Sequence, residues 1–250
     1  MTTSAIDTKA FRSLSYGVYI VSAKSGDTLA GCIVNTFQQV TSNPARVSVA
    51  INKENFTASA VDAAGYFEAT VLAESAPMEL IGRFGFQTST AIQKFADVEH
   101  AIDAAGMPYV TEHAVAHIGA RVIDKIDVGT HYVFVGEVEC SEVLSSEVPM
   151  TYAYYHLVKG GKTPPKASSY NPDADAAEAA APAALNVANA ATSAPGNAAD
   201  APGAAATDTK PRYGWRCLLC GYVVEMDELP EDFTCPMCGA TRDMFERIEL

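Results

Sequence analysis

The chain has 250 residues, of which 48% are hydrophobic, so it can build one large core or two smaller ones. Its formal net charge of −13 argues against nucleic acid or an anionic membrane surface as a partner. Residues 1–9 are polar, with no apolar signal-peptide core behind them, and no stretch approaches the roughly 20 apolar residues of a membrane span. We therefore expect a cytoplasmic protein, in which reduced cysteines are the rule.

The first 162 residues are rich in predicted strands. Apolar or alternating runs predict strands over 16–23, 28–41, 46–52, 66–72, 114–126 and 131–143. The sequence Ser25-Gly26-Asp27 predicts a hairpin turn between the first two. Asn55 is placed to cap a helix that runs to about residue 63, and Pro77 to open one that runs to about 84. Six or seven strands with a few short helices predict a mainly β fold, a closed or nearly closed barrel.

Composition changes abruptly at residues 163–210. Alanine dominates this segment, and repeated prolines interrupt any long helix. Because the segment has too little apolar bulk to bury, we predict a flexible linker between a domain at 1–162 and a small one at 211–250. Either a plain spacer or a tether that lets the small domain reach several positions is compatible with this composition.

The small C-terminal segment contains two Cys-x-x-Cys pairs, each followed by a glycine. A segment of this size cannot build a sufficient core, so it needs a metal to fold. Four thiolates in a tetrahedron select zinc or iron, and the spacing alone does not choose between them. The candidate ligands are Cys217, Cys220, Cys235 and Cys238.

The other cysteines and histidines carry no metal signature. Cys32 and Cys140 sit in apolar, strand-like runs, which predicts that both are buried small hydrophobic side chains. Four histidines lack the spacing of a metal site: His100, His113, His117 and His156. The only metal site that the sequence predicts is therefore the four-cysteine site.

Flanking residues extend the cysteine pattern. The runs are Tyr213-Gly214-Trp215-Arg216-Cys217, Leu229-Pro230-Glu231-Asp232-Phe233, and Cys235-Pro236-Met237-Cys238-Gly239-Ala240, with Phe245 behind them. Together they resemble rubredoxin, the one-iron, four-cysteine electron carrier, over residues 211–250, with a shortened loop between the pairs. The resemblance implies a redox iron (Fe²⁺/Fe³⁺) where the spacing alone also allows structural zinc.

A one-iron carrier needs an electron source, and nicotinamide delivers two electrons together as hydride. A flavin accepts hydride and releases electrons singly, so it is the expected intermediate. The first domain has no Gly-x-Gly-x-x-Gly and no phosphate-binding loop of the Gly-x-x-x-x-Gly-Lys-Ser/Thr type. Its ordered motifs lie at 31–36, 41–44, 47–57, 84–85, 94–95, 106–108 and 129–138, and over 10–157 they resemble the flavin reductase-like, FMN-binding split β-barrel.

This resemblance implies site residues for the cofactor. Asn35 and Thr36 fall where the family meets the isoalloxazine ring, and Ser89 and Lys94 fall in a second segment near the flavin. The turn at 52–57 falls where the family holds the FMN phosphate, and a helix N-terminus there makes physical sense as an anion site. Its implied contacts are Asn52, Lys53, Asn55 and Thr57. A plain helix cap is the alternative for Asn55, and a solvated surface lysine is the alternative for Lys94.

His131 matches a family Gly-Asp-His in which the histidine lies beside the flavin and is linked to nicotinamide binding. Here Thr130 replaces the aspartate, so the histidine's orientation and its role remain open. The whole chain resembles a high-molecular-weight rubredoxin, which implies an NAD(P)H-dependent oxidoreductase that passes electrons through FMN and iron to a partner such as a flavodiiron oxygen or nitric oxide reductase. It also implies a homodimer. The alternatives are a flavin reductase that supplies free reduced flavin and carries a zinc knuckle, and a non-enzymatic flavin- and metal-binding adaptor.

Overall fold

The computed structural model describes residues 6–164, 167–170, 213–218, 222–235 and 238–249. The strands are β1 (Tyr19–Ser25), β2 (Thr28–Val34), β3 (Gln38–Ser42), β4 (Ala45–Asn52), β5 (Tyr66–Leu72), β6 (His100–Ile102), β7 (Pro108–Val110), β8 (Ala114–Asp127), β9 (His131–Val143), β10 (Tyr213–Cys217), β11 (Val223–Val224) and β12 (Phe245–Glu249). The α-helices are α1 (Phe56–Ala64), α2 (Met78–Gly85) and α3 (Tyr152–Leu157). Among the described residues, every helix is too short or too polar to cross a bilayer.

The first domain is built on a seven-stranded antiparallel sheet in the order β2-β1-β5-β8-β9-β4-β3. Cys32 of β2 and Val49 of β4 belong to one buried cluster with Phe67 and Phe134, although their strands lie far apart in this order. The sheet therefore wraps around a common core. In the described part of the chain, β2 and β3 remain its hydrogen-bonding edges. A mainly β fold with short helices is thus confirmed.

Local signals predicted the turn and both helices correctly. Gly26 has φ +57° in the tight turn that joins Ser25 to its partner Thr28. Asn55 caps α1, with its side chain accepting a hydrogen bond from Thr57 N at 3.0 Å. Pro77 precedes α2 as predicted. These signals act within a few residues, so they do not depend on the rest of the fold.

The single strand predicted over 28–41 is wrong, because the structure breaks it into β2 and β3. Between them the chain turns at Asn35 and Thr36. The Thr36 hydroxyl donates to Ala50 O (3.1 Å) and accepts from Ala50 N (3.3 Å), which ties this turn to β4. The break carries no glycine or proline, so the sequence gives no turn signal there.

A short hairpin, β6–β7, covers the outer face of β1 and β5 and was not predicted. The Ser22 hydroxyl donates to Pro108 O, and Val110 N donates to Thr70 Oγ1 at 3.2 Å. All four residues are buried. The hairpin therefore covers buried polar side chains on the face of the sheet opposite the cluster of Phe67 and Phe134.

The small domain is a three-stranded sheet in the order β11-β10-β12. Its compact core includes Cys217, Cys235, Leu229 and Phe245. Cysteines thus form part of the core itself, as expected of a domain that a metal holds together.

Candidate functional site

A cavity of about 460 Å³ opens between the end of β2, the start of α1, the end of α2 and α3. This volume lies in the range of small-molecule and cofactor sites. Apolar walls and a rim of amide, hydroxyl and imidazole groups line it. The lining includes five of the predicted cofactor and catalytic residues, Asn35, Thr36, Asn52, Asn55 and His131.

The amides at the start of α1 are engaged in local hydrogen bonds. Asn52 Oδ1 accepts from Glu54 N at 2.9 Å, and Asn55 Oδ1 accepts from Thr57 N. Asn55 is therefore a helix cap, which was the alternative to a phosphate contact, and it also lines the cavity. Because the positive end of the helix dipole lies at this wall, the position suits an anionic group.

Two residues predicted in the same turn are absent from the cavity lining. Lys53 Nζ lies 2.5 Å from Asp127 Oδ1 and 4.9 Å from the centre of the Tyr132 ring. The Lys53 ammonium and the Gly129 N–H together hold the pKa of Asp127 below its usual value. Thr57 is fully buried in the first turn of α1. The structure thus directs both side chains to contacts within the protein.

Ser89 and Lys94 also lie outside the lining, and both hold the backbone of Gly31. Gly31 N donates to Ser89 Oγ at 3.2 Å, and Lys94 Nζ donates to Gly31 O at 2.8 Å and to Phe84 O at 3.0 Å. Lys94 is only 1% exposed, which excludes the solvated surface lysine. Burial lowers the pKa of Lys94 to about 8. The two side chains fix β2 against α2 beneath the cavity.

His131 is positioned at the cavity by its neighbour in sequence. The ring Nδ1 lies 2.9 Å from the hydroxyl Oγ1 of Thr130, the residue that replaces the aspartate of the resembled motif. Burial lowers the pKa of His131, which favours the neutral imidazole near pH 7. A neutral ring beside the cavity can donate or accept a hydrogen bond without adding charge.

The first residues of the predicted linker form part of the cavity wall. Asn35 Nδ2 donates to Ser169 Oγ at 2.9 Å, and Ser168 Oγ donates to Asn35 Oδ1 at 3.1 Å. Ser169 Oγ also donates to Tyr152 OH at 3.2 Å. The composition of the segment did not predict this role, although Ser168 and Ser169 offer two adjacent hydroxyl groups in the sequence. The rest of the predicted linker, residues 171–210, lies outside the described residues.

The donor set fits a flavin. Carboxamide and hydroxyl groups suit the polar edge of an isoalloxazine ring, and the apolar walls suit its faces. Several residues of these walls were not predicted from the sequence, because none of them belongs to a recognisable binding or catalytic motif. They are Phe86, Gln87, Thr88, Tyr152 and Tyr155. If FMN occupies the cavity, Asn35 and Thr36 would face its ring and the N-terminus of α1 its phosphate.

Three of the four predicted metal ligands converge in the small domain. The ligand atoms of Cys217, Cys235 and Cys238 all lie within 4.8 Å of one another, and the sulfurs of Cys217 and Cys238 are 3.6 Å apart. Sulfurs bound tetrahedrally at 2.3 Å would lie about 3.8 Å apart, so the spacing fits a four-thiolate metal. Gly239 has φ +74°, the turn that its predicted role requires. Cys220 lies outside the described residues.

The metal domain contacts the first domain beside the cavity. Met78 and Phe86 pack against the cluster that contains Cys217 and Cys235. Phe86 also lines the cavity. Lys162 Nζ donates to Leu218 O at 3.2 Å, directly after the first cysteine. Phe86 therefore lies between the cavity and the core that holds the cysteines.

A second cluster of ionisable groups lies outside this cavity and corrects the prediction for Cys140. Its sulfur lies 3.5 Å from Glu68 Oε1 and 3.7 Å from Tyr66 OH, so it is part of a polar network and not an apolar core. Cys32 is buried in the core, as predicted. Burial, with the neighbouring Asp103, raises the pKa of Glu68 to about 9.

Comparisons with known proteins identify both domains. The model of the flavin reductase like domain family matches residues 11–161. The model of the rubrerythrin, rubredoxin-like domain matches residues 215–246. The chain is 36% identical to a high molecular weight rubredoxin of Moorella thermoacetica, over 97% of its own length and 100% of that protein. The chain belongs to the high-molecular-weight rubredoxins.

Other relatives resemble the first domain of this high-molecular-weight rubredoxin alone. It is 48% identical to the ferric-chelate reductase (NAD(P)H) of Archaeoglobus fulgidus, over 66% of this chain and 98% of that protein. The solved structure of flavin reductase HpaC complexed with NADP+ matches with a TM-score of 0.51 and 26% identity, over 58% of this chain and 89% of that one. The chain is therefore an oxidoreductase with a flavin reductase-like fold.

Proposed function

We propose that this chain takes electrons from NAD(P)H, passes them through bound FMN to one iron, and delivers them to a partner protein. The iron ligands are Cys217, Cys220, Cys235 and Cys238. FMN, when bound, supplies the change from two-electron to one-electron chemistry that an iron site requires. The reductant is supported by the ferric-chelate reductase (NAD(P)H) and by HpaC complexed with NADP+, which resemble the first domain.

The contact at Phe86 carries this proposal. Phe86 lines the cavity and packs against the hydrophobic core of the small domain, which contains Cys217 and Cys235, so one residue connects the surroundings of the two candidate redox sites. The hydrogen bond from Lys162 to Leu218 O fixes the chain beside Cys217 in the same region. Fusion in one chain also keeps donor and acceptor at high effective concentration.

The contact can be tested at two residues that touch the metal domain and do not line the cavity, Met78 and Lys162. We expect anaerobic mixing with NADH to bleach the flavin first and the iron afterwards in stopped-flow absorption. The double variant Met78→Ala, Lys162→Ala should slow the iron phase several-fold and leave the flavin phase unchanged. Lys159→Ala, on the same segment, is the matched control. Iron that stays oxidised while the flavin is fully reduced would overturn the proposal.

For the acceptor, we propose a flavodiiron oxygen or nitric oxide reductase, as the resemblance implies. The chain's net charge of −13 suits a partner with a basic docking patch, since complementary charge speeds encounter. Reduction of such a reductase by the NADH-reduced chain should therefore slow as salt is raised. A rate that does not change with salt would remove the electrostatic part of this proposal.

One observation favours a second candidate function, direct reduction of an external acceptor by the first domain. The ferric-chelate reductase is matched over 98% of its length by a stretch that makes up only 66% of this chain. In this case the cysteine domain would hold zinc and serve as a docking module. Metal analysis and the visible spectrum of anaerobically purified protein separate the two candidates, because ferric four-thiolate iron is coloured and zinc is not. Loss of flavin on gel filtration would favour the second.

We also propose a homodimer. Apolar side chains stay exposed on β8 and in the turn after it: Ile123, Ile126 and Val128 are 37%, 46% and 55% exposed. Neighbouring exposed apolar side chains indicate a protein contact surface more often than isolated ones do. Light scattering should give a mass in solution of twice the chain mass. The variant Ile126→Glu should have the mass of a single chain. A monomer at every concentration tested would contradict the proposal.

A further inference from the structure

A compact set of metal-ligating side chains lies beneath the β6–β7 hairpin, away from both sites described above. His117 Nδ1 lies 3.1 Å from Glu68 Oε2, and Cys140 Sγ lies 3.5 Å from Glu68 Oε1. The ligand atoms of these three residues all fall within 4.8 Å of one another. Asp103 brings a fourth, with Oδ2 3.8 Å from the Cys140 sulfur. Neighbouring strands β5, β8 and β9 supply three of the four, so the group stands on rigid structure.

We propose that Glu68, His117, Cys140 and Asp103 form a binding site for a divalent metal of the zinc class. A thiolate, an imidazole and carboxylate oxygens are the ligand types that zinc takes. Ligands at 2.0–2.3 Å around a tetrahedral centre lie about 3.3–3.8 Å apart. The separations between His117 and Glu68 and between Cys140 and Glu68, 3.1 and 3.5 Å, already lie close to this range. Asp103 is 3.8 Å from the Cys140 sulfur but outside the 4.8 Å set, so its carboxylate would have to turn toward the metal.

Gly119 supports the site independently of the ligand distances, because its lack of a side chain leaves space between Glu68 and Cys140. A Cβ at this position would lie 2.7 Å from Tyr66 OH and closer still to Glu68 Oε1 and Cys140 Sγ. Any side chain here would occupy the space between the carboxylate and the sulfur. Gly119 pairs with Glu68 on β5 and with Cys140 on β9, next to a register shift between β8 and β9. Its φ lies outside the left-handed region, so the glycine is required by space.

The surroundings orient the ligands as a metal site requires. The His117 ring stacks on Tyr109, with ring centres 3.9 Å apart and planes inclined by 10°. Its other nitrogen, Nε2, faces Glu142 at 3.9 Å, while Asp103 Oδ1 accepts from Met107 N at 2.7 Å. Carboxylates that contact the far side of a ligating histidine, and hydrogen bonds to ligating carboxylates, are typical of protein metal sites.

The carboxyl groups in and around the cluster also suit a cation. Glu68 and Asp103 lie within it and Glu142 at its edge, beside a single imidazole, and a metal would take the place of the proton on Glu68. Zinc has no redox chemistry, so this site would not join an electron path. It would instead pin the hairpin that carries Asp103 and Tyr109 to β5, β8 and β9. The inference is therefore independent of the proposed electron transfer.

Elemental analysis of the full chain with iron in the cysteine domain tests the site. After exposure to excess Zn²⁺ and desalting, we expect one zinc per chain with the iron content unchanged. Cys140→Ser and Asp103→Asn should each weaken zinc binding at least about tenfold, and Asp103→Asn keeps an oxygen to accept from Met107 N. His100→Gln, which removes an exposed imidazole outside the cluster, should bind zinc as the wild type does.

A second measurement on the wild type guards against variants that fail to fold. Zinc that binds only the folded chain must raise the unfolding temperature of the first domain in circular dichroism, in proportion to its occupancy. Wild-type chain that retains iron alone and shows no thermal shift would overturn the proposal. Equal zinc retention by Cys140→Ser, Asp103→Asn and wild type would overturn it as well, because the metal would then lie elsewhere.

Discussion

The buried ammonium of Lys94 should make the stability of the first domain depend on pH above neutrality. Its side chain is 1% exposed, and its only described hydrogen bonds go to the carbonyl oxygens of Gly31 and Phe84. Two carbonyl dipoles replace the full hydration of a charge only in part. Burial accordingly lowers the pKa of Lys94 to about 8, from an ordinary value of 10.5.

The sign and size of the effect follow from proton linkage. Below about pH 8 the folded and unfolded chains both carry the proton, so the full cost of burying the charge is present. Between about pH 8 and 10.5 the unfolded chain binds more protons than the folded one, and stability rises with pH. At about 1.36 kcal/mol per pKa unit, the contribution of Lys94 rises by about 2 kcal/mol between pH 7 and 9.5.

Urea unfolding of the wild type and of Lys94→Met across this pH range isolates the effect. Far-ultraviolet circular dichroism should follow the first domain, since Trp215, the only tryptophan, lies in the metal domain. The methionine removes both hydrogen bonds and has no titrating group, so the stability of the variant should lack the pH slope that Lys94 contributes. Between pH 7 and 9.5, the unfolding free energy of the wild type should rise by about 2 kcal/mol more than that of the variant. Lys24→Met controls for the loss of one positive charge.

A constant difference between wild type and Lys94→Met from pH 7 to 9.5 would refute this reasoning. It would mean that the ammonium is as well solvated in the folded chain as in the unfolded one. A variant that loses FMN but keeps both its stability and its pH dependence would point instead to direct contact with the cofactor, as the sequence resemblance implies for Lys94.

Three further perturbations have defined outcomes. The double variant Ser168→Ala, Ser169→Ala removes two hydrogen bonds to the Asn35 amide. At about 1 kcal/mol per bond, FMN retention in equilibrium dialysis should weaken by roughly 5- to 30-fold. Unchanged retention would show that this segment does not close the site. Cys235→Ser should abolish stoichiometric iron in metal analysis and the visible absorption of the iron, and a variant that keeps both would exclude Cys235 as a ligand. Thr130→Asp should raise the pKa of His131 by about one to three units in an NMR titration, because a carboxylate favours the imidazolium; an unchanged pKa would place the new carboxylate away from the ring.

Sequence reasoning predicted what depends on neighbouring residues. The cap at Asn55, the turn at Gly26 and the glycine after the second cysteine pair each depend on the conformation of one or two residues, and the structure has all three. The break between β2 and β3 could not be found this way. It depends on Thr36 reaching across to the backbone of β4, a contact that the local sequence does not contain.

The polar cluster under the hairpin shows the same limit more sharply. Glu68 is separated from His117 by 49 residues and from Cys140 by 72. No spacing rule connects them, and each looks ordinary in its own strand. They meet because β5, β8 and β9 are adjacent in the sheet and the three side chains share its outer face. Such a site can be found only once the strand order is known.

The residues that the resemblance implies for the flavin divide into two groups with different physical tasks. Asn35 and Thr36 lie on the cavity wall, whereas Ser89 and Lys94 bind the backbone of Gly31, which lies on β2 four residues before Asn35. A Cβ on Gly31 would approach Phe84 to 2.8 Å, so β2 and α2 pack with no space to spare. Loosening either hydrogen bond to Gly31 should therefore move the end of β2 and, with it, the polar groups offered to the ring. Motif residues can thus serve a cofactor by fixing the strand that leads to it, and substitutions at Ser89 or Lys94 should change stability together with flavin affinity.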